Sequence, residues 1–187
     1  MGGPAVAGGG RAGGCGGSAA LPWLLDCHDL LVSRYGEASP GPAAAVRQEL
    51  CWSAAGALGR VILQYSRYTG DAAALDHALT LLHEACHSGP STGPAHAVNA
   101  FRLGAGLWTR YEWSHCRTDL DAAISELQQA HRSFQAAAED TDALCASTGM
   151  SLLGYALHRR FELTGCSRDL DLASQALRDA PCDCRVV

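Results

Sequence analysis

Three stretches of the chain share one pattern of apolar, small and polar positions. They span residues 58–85, 103–130 and 153–180, align without a gap, and begin 45 and then 50 residues apart. A period of that length is typical of arrays in which each unit buries its apolar face against its neighbours. The pattern therefore predicts a repeat architecture.

The first part of each repeat has the apolar spacing of a helix. In the first repeat, the pair Leu58-Gly59 is followed three residues later by Ile62, and the other two repeats keep this order. We predict that the helix ends near Gly70 in the first repeat and Gly165 in the third, because glycine readily adopts the left-handed conformation that terminates helices. The second repeat has His115 at this position, which is a weaker terminator.

The second part of each repeat predicts another helix, beginning near residues 74, 119 and 169. Acidic residues in this first turn favour the helix dipole, and Thr118 with Asp121 has the spacing of a capping box. The pattern Ala-x-x-x-Leu-x-x-Ala then places small and apolar side chains on one face, where they allow a close approach of helices. These residues are Ala78, Leu82, Ala85; Ala123, Leu127, Ala130; and Ala173, Leu177, Ala180.

The repeats divide the whole chain. Residues 1–20 are a Gly/Ala-rich tail that we expect to be disordered, since glycine loses the most entropy on ordering. Residues 21–42 predict a leading amphipathic helix and a linker, which could be a degenerate repeat. The three repeats occupy residues 43–92, 93–140 and 141–180, and residues 181–187 form a C-terminal tail.

Composition narrows the classes of function. Aromatic residues make up 6% of the chain and β-branched residues are sparse, which favours an all-α fold. The net charge is −5 and no block of Lys and Arg occurs, which argues against nucleic-acid binding. No apolar run reaches the roughly 18 residues that span a bilayer, so no membrane association is expected. The start lacks the apolar core of a secretion signal, so we interpret the nine cysteines as reduced thiols of a cytoplasmic protein.

The Leu-Gly pairs and the Ala-x-x-x-Leu-x-x-Ala faces resemble tetratricopeptide repeats. The longer spacing between the two motifs, with Arg-Tyr-Glu at 110–112, Arg-Phe-Glu at 160–162 and the following Asp-Leu-Asp, is similar to the long repeats found beside caspase-like CHAT domains. This resemblance implies a right-handed α-solenoid of helix–turn–helix units. It also implies a non-catalytic scaffold that needs no cofactor and binds another protein, as a peptide or helix, in a concave groove. A CHAT-type protease or signalling protein is one expected partner.

The resemblance also gives candidate partner-binding residues. In this family the first helix of each unit lines the groove, and the register from Leu-Gly implies seven positions: Arg60, Gln64, Trp108, Thr109, Tyr155, His158 and Arg159. By contrast, we interpret Arg110 with Glu112, and Arg160 with Glu162, as an ion network with the Asp residues of the next helix.

Two other classes of function stay open. His83-Glu84-x-x-His87 matches the pattern that binds zinc through two histidines on one helical face, with the Glu as general base, so a zinc-dependent hydrolase is an alternative. We expect an ordinary helix end there, because the second repeat has Gln128, Gln129 and Arg132 at the three positions and no clear third ligand follows. The other alternative is a regulatory fragment of a CHAT system.

Overall fold

The computed structural model describes residues 44–89, 93–136 and 143–180, together with five single positions between residues 22 and 33. Six helices account for the three long ranges: α1 Ala44–Thr69, α2 Ala72–Ser88, α3 Pro94–Ser114, α4 Arg117–Ala136, α5 Ala143–Thr164 and α6 Ser167–Asp179. This part of the chain has no β-strand, which confirms the all-α prediction. The predicted tails, 1–20 and 181–187, lie outside the described residues. Of the predicted leading helix, the described positions (Pro22, Asp26, Asp29, Leu30 and Ser33) are helical and exposed.

Each repeat folds as a hairpin of two helices joined by a two-residue turn. We call α1–α2 the first hairpin, α3–α4 the second and α5–α6 the third. The residue after the first helix has a left-handed conformation in all three hairpins, with φ of 73° at Gly70, 54° at His115 and 70° at Gly165. Its backbone N–H donates to the carbonyl four residues earlier over 2.7–2.8 Å. The predicted helix ends are therefore confirmed, including the one at His115.

The second helix of each hairpin begins two residues before the predicted position, at residues 72, 117 and 167. In the first hairpin Asp71 is the N-cap, and its carboxylate accepts from the Ala74 backbone N–H over 3.1 Å. The predicted capping box was wrong, because Thr118 already lies inside the first turn of α4. Its hydroxyl pairs instead with the Cys116 sulfur at 3.1 Å.

A glycine of the first helix lies directly against a leucine of the second in every hairpin. A Cβ placed on Gly59 would lie 2.8 Å from Cγ of Leu82, and one placed on Gly104 would lie 2.8 Å from Cγ of Leu127. The third hairpin repeats this contact between Gly154 and Leu177, at 2.5 Å. The predicted close approach of the two helices is confirmed, because no side chain larger than hydrogen fits at these positions without displacing the leucine.

The hairpins follow one another in chain order, with each helix packed on the next one. In addition α1 packs on α3, and α3 packs on α5. The core is mainly apolar and includes Ile62, Leu82, Leu120, Leu127 and Leu157, each at most 1% exposed. The first helices of neighbouring hairpins therefore lie side by side, and this arrangement positions the candidate site.

Two arginines tie neighbouring hairpins together. Arg110 donates two hydrogen bonds to Asp119 of its own hairpin, at 3.0 and 2.7 Å, and a third to Asp76 of the preceding hairpin at 3.1 Å. These hydrogen bonds, chiefly those to Asp119, raise the pKa of the guanidinium above its usual range. The predicted pairing of arginine with the next helix is confirmed, whereas Glu112 has no bond to Arg110 in the described structure.

The third hairpin repeats this arrangement. Arg160 donates to Asp169 at 2.8 and 2.7 Å and to Asp121 of the second hairpin at 3.2 Å. Hydrogen bonding to Arg160 lowers the pKa of Asp169 below its ordinary value of 3.8. The predicted partner Glu162 pairs with Arg159 instead. Each network therefore joins three helices from two hairpins.

None of the helices described here is both long enough and apolar enough to cross a membrane. No disulfide joins the cysteines within residues 44–89, 93–136 and 143–180.

Candidate functional site

The outer face of α5 carries three of the seven candidate residues, Tyr155, His158 and Arg159. Tyr155, His158, Arg159 and Glu162 follow the spacing i, i+3, i+4 and i+7, so they lie along one side of the helix. The Tyr155 ring is 60% exposed, although it is large and largely apolar. This face therefore offers an aromatic group beside two basic side chains and one acidic side chain.

Arg159 connects this face with α3 through a residue that sequence reasoning missed. Its Nε donates to the Tyr111 hydroxyl at 3.0 Å, and its second nitrogen donates to Glu162 at 2.6 Å. Tyr111 is 3% exposed, and its ring lies 5.6 Å from the Trp108 ring. The structure thus brings the predicted residues Trp108 and Arg159 together, with Tyr111 between them.

The missed residues had a signal in the sequence. Tyr111 and Glu162 belong to the Arg-aromatic-Glu motifs at 110–112 and 160–162, whose Arg and Glu residues we assign from the sequence to the ion network. Only the first residue of each motif, Arg110 or Arg160, serves that network. The aromatic residue of one motif and the Glu of the other instead hold Arg159 in place.

The charges on the α5 face are fixed by their mutual contacts. The hydrogen bond to Glu162 raises the pKa of Arg159, and the same bond lowers the pKa of Glu162. Both groups therefore remain charged at neutral pH. His158 stands beside them, with its Nδ1 atom 3.8 Å from a Glu162 oxygen. The face presents a compensated ion pair flanked by an imidazole and a phenol.

The remaining candidates occupy other settings. Thr109 is 3% exposed, and its hydroxyl donates to the Ala105 carbonyl of its own helix at 3.0 Å, so it presents no polar group to a partner. Arg60 and Gln64 are exposed on α1. No hydrogen bond or ion pair among the described residues joins either of them to the cluster at Tyr111.

A cavity of about 300 Å³ between α1 and α3 was not anticipated. Its walls combine a tryptophan, small residues and an arginine, and they are formed by Trp52, Ser53, Ala57, Pro94, Ala95, Val98, Asn99 and Arg102. Asn99 is 5% exposed and accepts a hydrogen bond from Arg102 at 3.4 Å. The cavity lies before the Leu-Gly pair in each helix, which is why a register starting at that pair did not find it.

The His83-Glu84-x-x-His87 segment lies at the end of α2. The two imidazole rings stack with centroids 3.9 Å apart, and Nδ1 of His87 lies 2.8 Å from the His83 carbonyl oxygen. Within the described ranges, no group of three or more His, Cys, Asp or Glu side chains is arranged to hold a metal ion. The described part of the chain therefore supplies no third ligand for the zinc site of the alternative hypothesis.

Comparisons with known proteins add little to this geometry. No family model matches the chain, and no curated protein matches it. Among solved structures, a chain described as "DHF119 filament" aligns over 88% of this chain and 81% of its own length, with 19% sequence identity and a TM-score of 0.43.

Proposed function

We propose that this chain is a non-catalytic protein–protein interaction scaffold, built as a right-handed solenoid of tetratricopeptide-like hairpins. Its partner binds as a peptide or helix along the first helices of the hairpins. The observation that carries this proposal is the α5 face, where the exposed Tyr155 and His158 lie beside the partly exposed Arg159. Tyrosine and arginine are among the residue types that dominate binding energies at protein interfaces.

The cluster beneath this face supports the proposal. Arg159 is held by Tyr111 and Glu162, so its guanidinium has little conformational freedom left to lose on binding. Preorganised side chains of this kind contribute more affinity than mobile ones, because less entropy is lost when the complex forms. The exposed Tyr155 ring adds apolar area at the edge.

The direct test is affinity capture from native lysate with the parent chain and with a Tyr155→Ala/His158→Ala variant. These two side chains are exposed, whereas Arg159 and Trp108 support the fold through Tyr111. We expect a captured partner, once purified, to bind the variant at least about tenfold more weakly than the parent. Identification of the partner by mass spectrometry also decides whether it is a CHAT-type protein.

A matched control is a His77→Ala/Ser125→Ala variant, which removes two side chains that are likewise exposed, from α2 and α4. It should bind the partner as the parent does. If both variants bind equally well, the α5 face is not the binding surface, and the cavity beside Trp52 becomes the next surface to test. If no partner is captured and zinc is found at one ion per chain, the scaffold proposal fails in favour of the zinc-hydrolase alternative.

A further inference from the structure

The outer face of α6 is exposed at positions that are buried in the other two hairpins. Leu170 is 37% exposed, whereas its equivalents Leu75 and Leu120 are at most 1% exposed. Leu177 is 40% exposed, and its equivalents Leu82 and Leu127 are likewise buried. In the first and second hairpins the second helix packs against the first helix of the next hairpin. The described structure places no such helix on α6.

The opposite end of the array exposes the complementary face. Val61 of α1 is 42% exposed, while Gly106 and Ala156 at the same position of α3 and α5 are buried. Gly106 shows what this position contacts, since a Cβ placed there would lie 2.8 Å from Leu79 of α2. The exposed face of α1 is therefore the face that the later first helices use to pack on the preceding hairpin.

The sizes of the side chains on these two faces are complementary. At the first internal junction, the small Gly106 meets the large Leu79. At the second, the register pairs the small Ala156 with the large Ile124, and both belong to one buried cluster. If α6 met α1 of another copy, the large Val61 would meet the small Ser174. Each pairing thus joins one large residue and one small residue, which is the condition for filling the contact without overpacking.

The polar positions at this junction are compatible too. At the internal junctions, Arg110 reaches Asp76 and Arg160 reaches Asp121. Between two copies, the same register pairs Tyr65 with Asp171, and a phenol can donate a hydrogen bond to a carboxylate. Asp171 is exposed and Tyr65 is partly exposed, so both are accessible in the single chain.

We propose that the α6 face of one chain docks on the α1 face of a second copy, head to tail. The occupant of the α6 face is thus the α1 face of a second copy of this chain. Such an interface joins two different surfaces, so each added copy leaves one surface free for the next. The assembly either closes into a ring or remains an open filament. It leaves the α5 face available, because neither Tyr155 nor His158 belongs to it.

The test uses two variants that each block one end. Val61→Glu blocks the α1 face and Ser174→Glu blocks the α6 face. Ser174 is preferred to Leu177, since Leu177 packs against Gly154 inside its own hairpin. Sedimentation velocity across about a hundredfold range of concentration should show the average mass of the parent rising, as mass action requires. Each blocked variant should stay at 19.5 kDa.

Mixing the two blocked variants is the decisive measurement, because each retains the end that the other lacks. An equimolar mixture should form a species of about twice the monomer mass and nothing larger. Circular dichroism of each variant confirms that its helices are intact, and a Val61→Glu/Ser174→Arg variant should associate again through opposite charges. A parent that stays monomeric, a blocked variant that associates like the parent, or a mixture that stays monomeric would each overturn the proposal.

Discussion

The first and second hairpins have the same backbone design but different chemistry at one pair of positions. In the second hairpin Arg110 and Asp119 join the two helices by a bidentate ion pair. In the first hairpin, the same two positions hold Tyr65 and Ala74, and Ala74 is fully buried. The third hairpin has the ion pair again, between Arg160 and Asp169.

This difference distinguishes the contacts that form a hairpin from the contacts that join neighbouring hairpins. All three hairpins share the glycine–leucine contact and the left-handed turn, and the first hairpin forms without the ion pair, so the ion pair is not required for the helix pair. The arginine and the aspartate are either both present or both absent. This is expected, because a buried carboxylate without a partner is costly. Where it is present, the arginine also reaches the preceding hairpin, at Asp76 or Asp121. The network therefore stabilises the junctions between hairpins.

The largest expected effect comes from breaking the shared glycine–leucine contact. Gly104→Leu should lower the free energy of unfolding by about 2–3 kcal/mol, because its side chain would overlap Leu127 in a closed core. Gly154→Leu should cost less, although Leu177 approaches even more closely, because Leu177 is 40% exposed and can move outward. Chemical denaturation of both variants measures the difference. Equal losses of stability would show that Leu177, on the exposed side of α6, is as constrained as Leu127 in the core.

A smaller effect should follow from breaking the ion pair of the second hairpin. Arg110→Ala leaves Asp119, which is 7% exposed, without its partner, and should cost about 2 kcal/mol. The double variant Arg110→Tyr/Asp119→Ala installs the residues of the first hairpin and should cost less than about 1 kcal/mol, since no charge is left buried. Urea unfolding of both variants tests this order. A double variant that is less stable than the single one would mean that the ion pair itself holds the hairpin.

The third hairpin should differ from the first in its response to acid. Because bonding to Arg160 lowers the pKa of Asp169, the folded state prefers the ionised carboxylate. This contribution is complete above the ordinary value of 3.8 and is lost as pH falls through the lower folded value. The stability difference between the parent and Asp169→Asn should therefore shrink below about pH 4. The control Ser125→Ala, which removes an exposed side chain without a titratable group from α4, should show no such convergence in thermal midpoints measured across this range.

The features that could be predicted from sequence are those that repeat locally. Leu-Gly spacing, the Ala-Leu-Ala face and the glycines after the first helix gave the hairpins and the ends of their first helices, because local periodicity determines which face is buried. The bonds from Arg110 to Asp76 and from Arg159 to Tyr111 span hairpins, and no spacing in one repeat reveals them. The burial of Thr109 was missed for the same reason. A family register gives the direction of a side chain, but its exposure depends on which neighbouring helix covers it.

The smallest expected effect concerns the turn of the second hairpin, where His115 occupies the position of Gly70 and Gly165. A residue other than glycine is destabilised by roughly 1–2 kcal/mol in the left-handed conformation, so replacing histidine with glycine removes this cost. Glycine also has more conformational freedom in the unfolded chain, and this offsets part of the stability gained. We therefore expect His115→Gly to raise the free energy of unfolding by about 0.5 kcal/mol. Gly165→His should lower it by a similar amount, since nothing lies within 4 Å of a Cβ there and only the backbone is strained. Paired thermal melts test both.

If His115→Gly is destabilising while Gly165→His follows the expectation, the contact of His115 with the Tyr111 ring, at 6.1 Å between centroids, outweighs the strain. The second hairpin would then hold its turn by side-chain packing, where the other two rely on glycine alone.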